Sequence, residues 1–176
     1  MLHRDIKPEN IVLGGKKRPD ATSNETSEAI DNLRIIDFGF SSETKRSKWD
    51  QLDSNVGTTL FMAPEQISTR TYGKKIDIYA TGITMFYLLA GHHPLYRFKD
   101  NTEQFHQKVA TIGPKRWKYP SFFSPLAIDL IQRLCGTSVS TRYEARTALD
   151  HPWITRDFDS PIPTNYSDDY QHLLQE

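Results

Sequence analysis

Cysteine, excess charge of one sign and long apolar runs are all scarce in this chain. A single cysteine among 176 residues excludes an internal disulfide, and we interpret Cys135 as a small core residue in a reducing compartment rather than a reactive thiol. Lys plus Arg and Asp plus Glu number 22 each, so no net field favours nucleic acid or an anionic membrane as partner. The strongest apolar run, residues 76–90, contains Asp77 and is too short to span a bilayer. Since no signal peptide is visible either, we expect one soluble domain inside the cell, in the cytoplasm.

Two short β-branched runs, residues 11–13 and 33–38, have the composition of strands and can pair as a small hairpin closed by Gly39. The polar residues between them, 14–32, are interpreted as a surface insertion at the hairpin tip. Residues 41–55 are polar as well and show no period that would bury one face, which predicts a second loop.

The second half of the chain predicts helices. Residues 75–90 are apolar on nearly every side of a helix that Gly91 can terminate, which places this helix in the middle of the domain. Asn101 and Ser124 are predicted to cap two further helices. Thr141 and Glu144 suggest a capping box for a short helix that Pro152 ends. The stretch that follows, residues 156–176, is predicted to be a peripheral tail.

Three motifs stand in order along the chain: HRDIKPEN at residues 3–10, DFG at 37–39 and APE at 63–65. Each string alone is weak, but their order and the strands between them resemble the catalytic core of Ser/Thr protein kinases. The helix pattern after Pro94 is most similar to the calcium/calmodulin-dependent kinase group. The resemblance implies a protein-kinase-like fold: a mostly α-helical C-terminal lobe at residues 1–155 with a small β-hairpin at the catalytic cleft, followed by the tail.

The resemblance also implies a chemistry, transfer of the γ-phosphate of ATP to protein Ser or Thr with Mg²⁺. Phosphoryl transfer depends mainly on positioning and on neutralising charge. Asp5 is expected to orient the substrate hydroxyl and accept its proton, while Lys7 places a cation near the transferred group. Asn10 and Asp37 supply the hard oxygen ligands that Mg²⁺ prefers.

Further roles concern substrate and regulation. In the family pattern, Thr58 hydrogen-bonds near the catalytic aspartate in the segment that docks the substrate, and Glu9 receives a basic substrate residue. Tyr87 stands where basic-directed relatives often carry a second glutamate, so no stringent arginine preference is expected. We expect phosphorylation of Ser54 to activate the enzyme by pairing with Arg4. The competing phosphosites are Ser41, Ser42, Thr44 and Ser47.

Scaffold residues match the family pattern as well. Asp77 resembles the aspartate that holds the catalytic-loop backbone, and Arg142 the arginine that pairs with Glu65. The other residues expected to give structural support are His3, Phe38 and Gly39. The chain departs from the pattern at residues 138–139, where Ser-Val replaces the usual Asp-Pro.

No Gly-rich loop, strand lysine or helix glutamate of the smaller kinase lobe occurs in the 176 residues, so we expect that lobe to come from upstream sequence. Without it the chain is expected to be inactive alone. The alternative is a truncated, catalytically silent module that docks kinase substrates or partners. His92 and His93 suggest a metal site, but adjacent residues point in different directions, and we interpret them as a solvated helix end.

Overall fold

A computed structural model of the protein describes residues 1–14, 33–41, 59–68 and 72–155. Most of the predicted insertion, most of the second predicted loop, the tail, Ser54 and Thr58 lie outside these residues. The strands are β1 (Ile11–Leu13) and β2 (Leu33–Ile35). The α-helices are α1 (Pro64–Ser68), α2 (Lys75–Ala90), α3 (Thr102–Thr111), α4 (Pro125–Leu134), α5 (Ala145–Leu149) and α6 (Pro152–Thr155). Short 3-10 turns occupy Pro8–Asn10, Phe38–Phe40 and Pro114–Arg116.

The predicted hairpin is confirmed. β1 and β2 pair antiparallel, with Ile11 opposite Ile35 and Leu13 opposite Leu33. The ladder is extended by the backbone amide of Ile36, which donates to the carbonyl of Asn10 over 2.9 Å. The second strand is shorter than its β-branched run, because the chain turns into the 3-10 segment Phe38–Phe40. This pairing brings the residues that follow β2 next to those that precede β1.

Helix α2 crosses the domain and has the predicted bounds. It ends at Gly91, which adopts φ +74°, a left-handed conformation that glycine reaches without a Cβ penalty. Ile83 and Phe86 are fully buried, and α4 packs across the helix. The predicted place of α2 in the middle of the domain does not extend to its C-terminal end, where Leu88 is 65% exposed. Apolar periodicity shows which positions can be buried, whereas burial itself requires a packed neighbour.

The two predicted helix caps are confirmed. Asn101 accepts a hydrogen bond from the amide of Gln104, and the Gln104 side chain accepts one from the Asn101 amide, so the pair forms a capping box. At α4 the hydroxyl of Ser124 accepts from the amide of Ala127 over 3.2 Å, and Pro125 occupies the first helical position. In both helices a side-chain oxygen at the N-cap therefore accepts from a backbone amide of the first turn, so the start of each helix is set by local sequence.

The capping box predicted at Thr141 and Glu144 was wrong. Thr141 donates its hydroxyl hydrogen to the carbonyl of Ser138, and Glu144 precedes α5 without a side-chain cap. The preceding turn is fixed instead by a tertiary hydrogen bond, from the amide of Tyr143 to the carbonyl of Arg133 in α4. Helix α5 ends at Leu149, and Pro152, expected to end it, begins α6.

Aromatic side chains and α2 form the centre of the core. The ring of Phe86 lies between 5.4 and 5.9 Å from the rings of Trp117, Tyr119 and Phe123. Cys135 is fully buried nearby and donates its thiol hydrogen to the carbonyl of Tyr79, which agrees with the core interpretation. Burial also raises the pKa of the Cys135 thiol well above its usual value. Among the residues placed by the structure, no helix combines the length and apolarity needed to cross a bilayer.

Candidate active site

Asp77, in the first turn of α2, holds the start of the HRDIKPEN segment. Its Oδ2 accepts from the backbone amide of His3 over 2.8 Å, and its Oδ1 accepts from the amide of Arg4 over 2.9 Å. Arg4 adopts φ +72°, which is uncommon for a residue with a side chain. Such conformations persist when surrounding contacts over-determine them. The paired bonds to one carboxylate therefore fix the backbone immediately before Asp5.

Two polar side chains, those of Lys7 and Asn10, converge on Asp5. The ammonium of Lys7 lies 2.7 Å from Asp5 Oδ2. The amide nitrogen of Asn10 donates to the same Oδ2 over 2.9 Å and to the Asp5 carbonyl over 2.8 Å. Since two donors share Oδ2, Oδ1 is the carboxylate oxygen best placed to accept a hydrogen bond from another molecule. Since its nitrogen is engaged by Asp5, Asn10 would coordinate a cation through its side-chain oxygen.

His3 connects this segment to the residues after β2. Its Nδ1 accepts from the backbone amide of Asp5 over 3.3 Å, so its Nε2 donates to the carbonyl of Ile36 over 3.0 Å. The ring of Phe38 packs edge-on against the imidazole, with centroids 4.7 Å apart. The two motif segments are thus held together by a buried side chain as well as by the hairpin.

Asp37 also has a left-handed backbone, with φ +63°, and its Oδ1 accepts from the amide of Gly39 over 3.3 Å. A Cβ on Gly39 would lie only 3.2 Å from this oxygen, so the glycine leaves the carboxylate room. Within the ranges that the structure describes, no group of three His, Cys, Asp or Glu side chains could hold a metal. The Asp37 carboxylate and the Asn10 amide oxygen nevertheless fit Mg²⁺, which often takes only one or two protein ligands together with phosphate and water.

A narrow cleft lies beside Asp5, and Arg4, Asp77, Phe61 and Met62 are among the residues that line it. Arg4 Nε is buried and has no hydrogen-bond partner among the described residues. Glu9 is exposed in the neighbouring 3-10 turn.

The expected contact between Arg142 and Glu65 is present at the N-terminus of α1, as a bidentate ion pair. The same arginine donates to the backbone carbonyls of Lys75 and Gly136 over 2.8 and 2.9 Å. The side chain of Gln66 accepts from the Ala63 amide, a contact absent from our sequence interpretation. Arg142 therefore fastens the APE segment to α2 and to the loop after α4.

Sequence interpretation also missed His93. We expected both histidines in a solvated helix end, which holds for His92, but His93 is 4% exposed and hydrogen-bonded through both ring nitrogens. Its apolar neighbours Pro94 and Leu95 were the available signal, since a histidine inside an apolar stretch is often a hydrogen-bonded core residue.

The fold and this site agree with the comparison against known families. The protein kinase domain model matches residues 1–154, so the chain belongs to the protein kinase family.

Curated relatives that match this chain are named as protein kinases. The chain is 31% identical to the cAMP-dependent protein kinase catalytic subunit of Schizosaccharomyces pombe, over 87% of this chain and 27% of that protein. It is 33% identical to calcium-dependent protein kinase 4 of Plasmodium falciparum, over 88% of this chain and 26% of that protein. It is 32% identical to CBL-interacting protein kinase 20 of Oryza sativa, over 89% of this chain and 31% of that protein. The chain therefore spans about a quarter to a third of the length of these relatives.

Proposed function

We propose that this chain is the catalytic lobe, residues 1–155 with a tail at 156–176, of a kinase that transfers the γ-phosphate of ATP to Ser or Thr of protein substrates. The observation that carries the proposal is the Asp5, Lys7 and Asn10 cluster, in which both partners engage one oxygen of the Asp5 carboxylate. Such a cluster suits positioning and charge neutralisation, the main requirements of phosphoryl transfer.

In the proposed mechanism, Asp5 Oδ1 accepts the hydrogen bond of the substrate hydroxyl and takes its proton as the hydroxyl oxygen attacks the γ-phosphorus of ATP. The bond from that phosphorus to the β,γ-bridging oxygen breaks at the same time, and ADP leaves. Lys7, held 2.7 Å from Oδ2, lies beside the transferred group and offsets its charge. The Asn10 and Asp37 oxygens would hold Mg²⁺, which would neutralise charge on the phosphates of bound ATP. Asp77 and His3 fix the two segments that carry these groups.

The test of this role is Asp5→Asn in a complemented chain, defined as the 176 residues preceded by the smaller lobe of a related kinase. Asparagine keeps the shape and removes the base, so we expect turnover to fall roughly 10²- to 10⁴-fold while nucleotide affinity stays nearly constant. Asp150→Asn, the same change at an exposed residue after α5, is the matched control. Near-normal turnover of the Asp5→Asn variant would contradict the proposed role of Asp5.

We also propose that substrates dock at Thr58 and Glu9, and that phosphorylation of Ser54 activates the kinase. A phosphate near the catalytic loop would find the half-buried side chain of Arg4, whose Nε has no hydrogen-bond partner among the described residues, and charge-assisted pairs of this kind order loops. Mass spectrometry of the active complemented chain should locate phosphate at Ser54. If the active protein carries phosphate on another loop residue and none on Ser54, that other residue is the activating site.

The 176 residues alone should give almost no turnover, because they contain no Gly-rich loop or strand lysine to fix the γ-phosphate in line with a hydroxyl at Asp5. Positioning can account for roughly 7–11 kcal/mol of a barrier. The purified chain should be assayed with Mg-ATP and a Ser/Thr peptide beside its Asp5→Asn variant. Robust turnover that the substitution abolishes would show an ATP site built by these residues alone.

A second candidate function is a docking module without catalysis. The observation in its favour is the apolar surface of the hairpin region, where Leu33, Ile35, Ile36, Phe38 and Phe40 are each more than 40% exposed. A surface of this kind suits a protein partner, although the smaller lobe of a kinase would cover it equally well. A complemented chain that binds Ser/Thr peptides without any Asp5-dependent transfer would favour the module.

A further inference from the structure

His93 is a buried polar side chain that the proposed mechanism does not use. It lies in the loop between α2 and α3, and only 4% of its surface is exposed. Its ring packs edge-on against that of Phe105, with centroids 5.3 Å apart. A polar group at this depth is costly unless it is hydrogen-bonded, so its partners indicate its role.

Both ring nitrogens of His93 have partners. Nδ1 accepts from the backbone amides of Leu95 and Tyr96, over 3.1 and 2.9 Å. Because an acceptor nitrogen carries no hydrogen, the proton of the neutral ring resides on Nε2, which donates to the carbonyl of Leu60 over 2.9 Å. Burial lowers the pKa of His93 from the usual 6.5 to about 4, so the neutral form prevails at pH 7. One nitrogen thus shapes the local turn, while the other reaches a distant segment.

That distant segment forms a wall of the candidate active site. Residues 61 and 62, directly after Leu60, line the same narrow cleft as Arg4 and Asp5. The backbone turns tightly here, since the amide of Met62 donates to the carbonyl of Thr59 over 3.1 Å. The Leu60 carbonyl held by His93 is therefore one residue from the cleft.

We propose that His93 is a positioning residue for the substrate polypeptide, holding the backbone of residues 60–62 through the Leu60 carbonyl so that this wall keeps its place in the cleft beside Asp5. The inference deepens the proposed kinase function and rests on it. We call the hydrogen bond from His93 to the Leu60 carbonyl the anchor. Its loss should weaken the binding of the peptide substrate. The KM for ATP should change little.

Two substitutions test the two ring nitrogens of His93 separately. The side-chain oxygen of His93→Asn can take the place of Nδ1 and preserve the local turn, but asparagine is too short to reach Leu60. The side-chain nitrogen of His93→Gln can take the place of Nε2 and donate to the Leu60 carbonyl, whereas the contacts to Leu95 and Tyr96 are lost. A merely structural role in the turn predicts the larger effect for glutamine, and the proposed role predicts it for asparagine.

The first experiment measures steady-state kinetics of the complemented chain with a Ser/Thr peptide. We expect His93→Asn to raise the peptide KM about five- to tenfold, with kcat and the KM for ATP changed less than about twofold, and His93→Gln to restore most of the peptide KM. An unchanged peptide KM in the asparagine variant, or a larger increase with glutamine, would overturn the proposal. Absence of Asp5-dependent turnover in the unsubstituted complemented chain would instead overturn the proposed function, and the substrate role with it.

The second experiment needs no activity. Amide hydrogen exchange of the 176-residue chain should be faster at residues 60–66 in His93→Asn than in the unsubstituted chain, and His93→Gln should lie between them. Exchange within α4 serves as the internal control for global stability. Equal exchange at residues 60–66 in all three proteins would refute the anchor, whatever the kinetics show.

Discussion

Arg142 and Glu65 form a bidentate ion pair between residues 77 positions apart, with Nη1 to Oε1 at 2.6 Å and Nη2 to Oε2 at 2.9 Å. The Arg142 side chain is completely buried, and that of Glu65 is 13% exposed. The guanidinium also lies over the ring of Tyr79, 5.1 Å from its centroid. Removing charges from water is costly, so such a pair is stable only while both partners and their other hydrogen bonds remain.

We predict that Glu65→Ala lowers the free energy of unfolding by about 3–5 kcal/mol, because it leaves the buried arginine uncompensated. Urea unfolding followed by circular dichroism measures this change. The double variant Glu65→Leu with Arg142→Met should lose less than the sum of the two single variants, since it leaves no unpaired charge. A loss below about 1 kcal/mol for Glu65→Ala would mean that solvent screens the pair, contrary to its burial.

Gly82 is the point of close approach between α2 and the end of α4. A Cβ built on Gly82 would lie 2.4 Å from Cys135 Sγ and 2.8 Å from Leu134 Cβ, well inside normal contact distance. We predict that Gly82→Ala destabilises the fold by about 1–3 kcal/mol, the usual cost of overpacking, even though alanine is the better helix former.

The matched control is Gly73→Ala, where an added Cβ would meet nothing within 4 Å. It should be neutral or slightly stabilising, because it reduces the freedom of the unfolded chain. Adding Cys135→Ala to Gly82→Ala should recover part of the loss by removing the closer of the two clashes. Equal thermal stability of the Gly82 and Gly73 variants would contradict the close approach.

The parts of the fold that could be predicted from sequence are those decided by neighbours along the chain. Asn101 and Ser124 cap their helices through amides three residues away, and Gly91 ends α2 by its own backbone freedom. Thr141 failed as a cap because its turn is fixed by bonds to the end of α4. Local chemistry cannot reveal such a competitor, which lies close only after the chain has folded.

The candidate site likewise contains features that local sequence predicts and features that arise only on folding. The spacing of Asp5, Lys7 and Asn10 brings them together within one short segment. The contact of His3 with Asp77 spans 74 positions and was expected only from the family pattern. The anchor from His93 to Leu60 belongs to no pattern that we recognised in the sequence, so only the folded arrangement reveals it.

Thr84 carries a buried hydroxyl in the middle of α2. The residue is 4% exposed, and its Oγ1 has no hydrogen-bond partner within the described part of the chain. Because an unsatisfied buried hydroxyl costs roughly 1–3 kcal/mol and valine has the same shape, we predict that Thr84→Val stabilises the fold by about 1 kcal/mol.

The matched control for Thr84 is Thr81→Val in the same helix. The Thr81 hydroxyl is exposed and donates to the carbonyl of Asp77 over 2.8 Å, so its loss should change stability by no more than about 0.5 kcal/mol. Unfolding midpoints of the two variants provide the comparison. A destabilised Thr84→Val protein would indicate that the hydroxyl is satisfied in solution.

The folded protein should lose stability in mild acid through His93. Burial is the main reason that the pKa of His93 falls from 6.5 to about 4, and the nearby charges of Arg97 and His92 lower it further, against the opposing hydrogen bond to Leu60. The unfolded chain therefore binds a proton at this residue between pH 6.5 and pH 4, whereas the folded chain does not. The stabilisation is complete above about pH 6.5, decreases as the pH falls toward 4, and reaches a total loss of about 3 kcal/mol.

The measurement is urea unfolding from pH 7.5 to pH 4 for the unsubstituted chain and for His93→Gln, which has no group to titrate. Burial also lowers the pKa of His106, and this contribution is common to both proteins, so the difference between the two curves isolates His93. We expect the stability advantage of the unsubstituted chain to be greatest near neutral pH and to shrink steadily as the solution is acidified. Parallel curves would mean that the imidazole already takes up its proton in the folded state, which the two amides donating to Nδ1 should prevent.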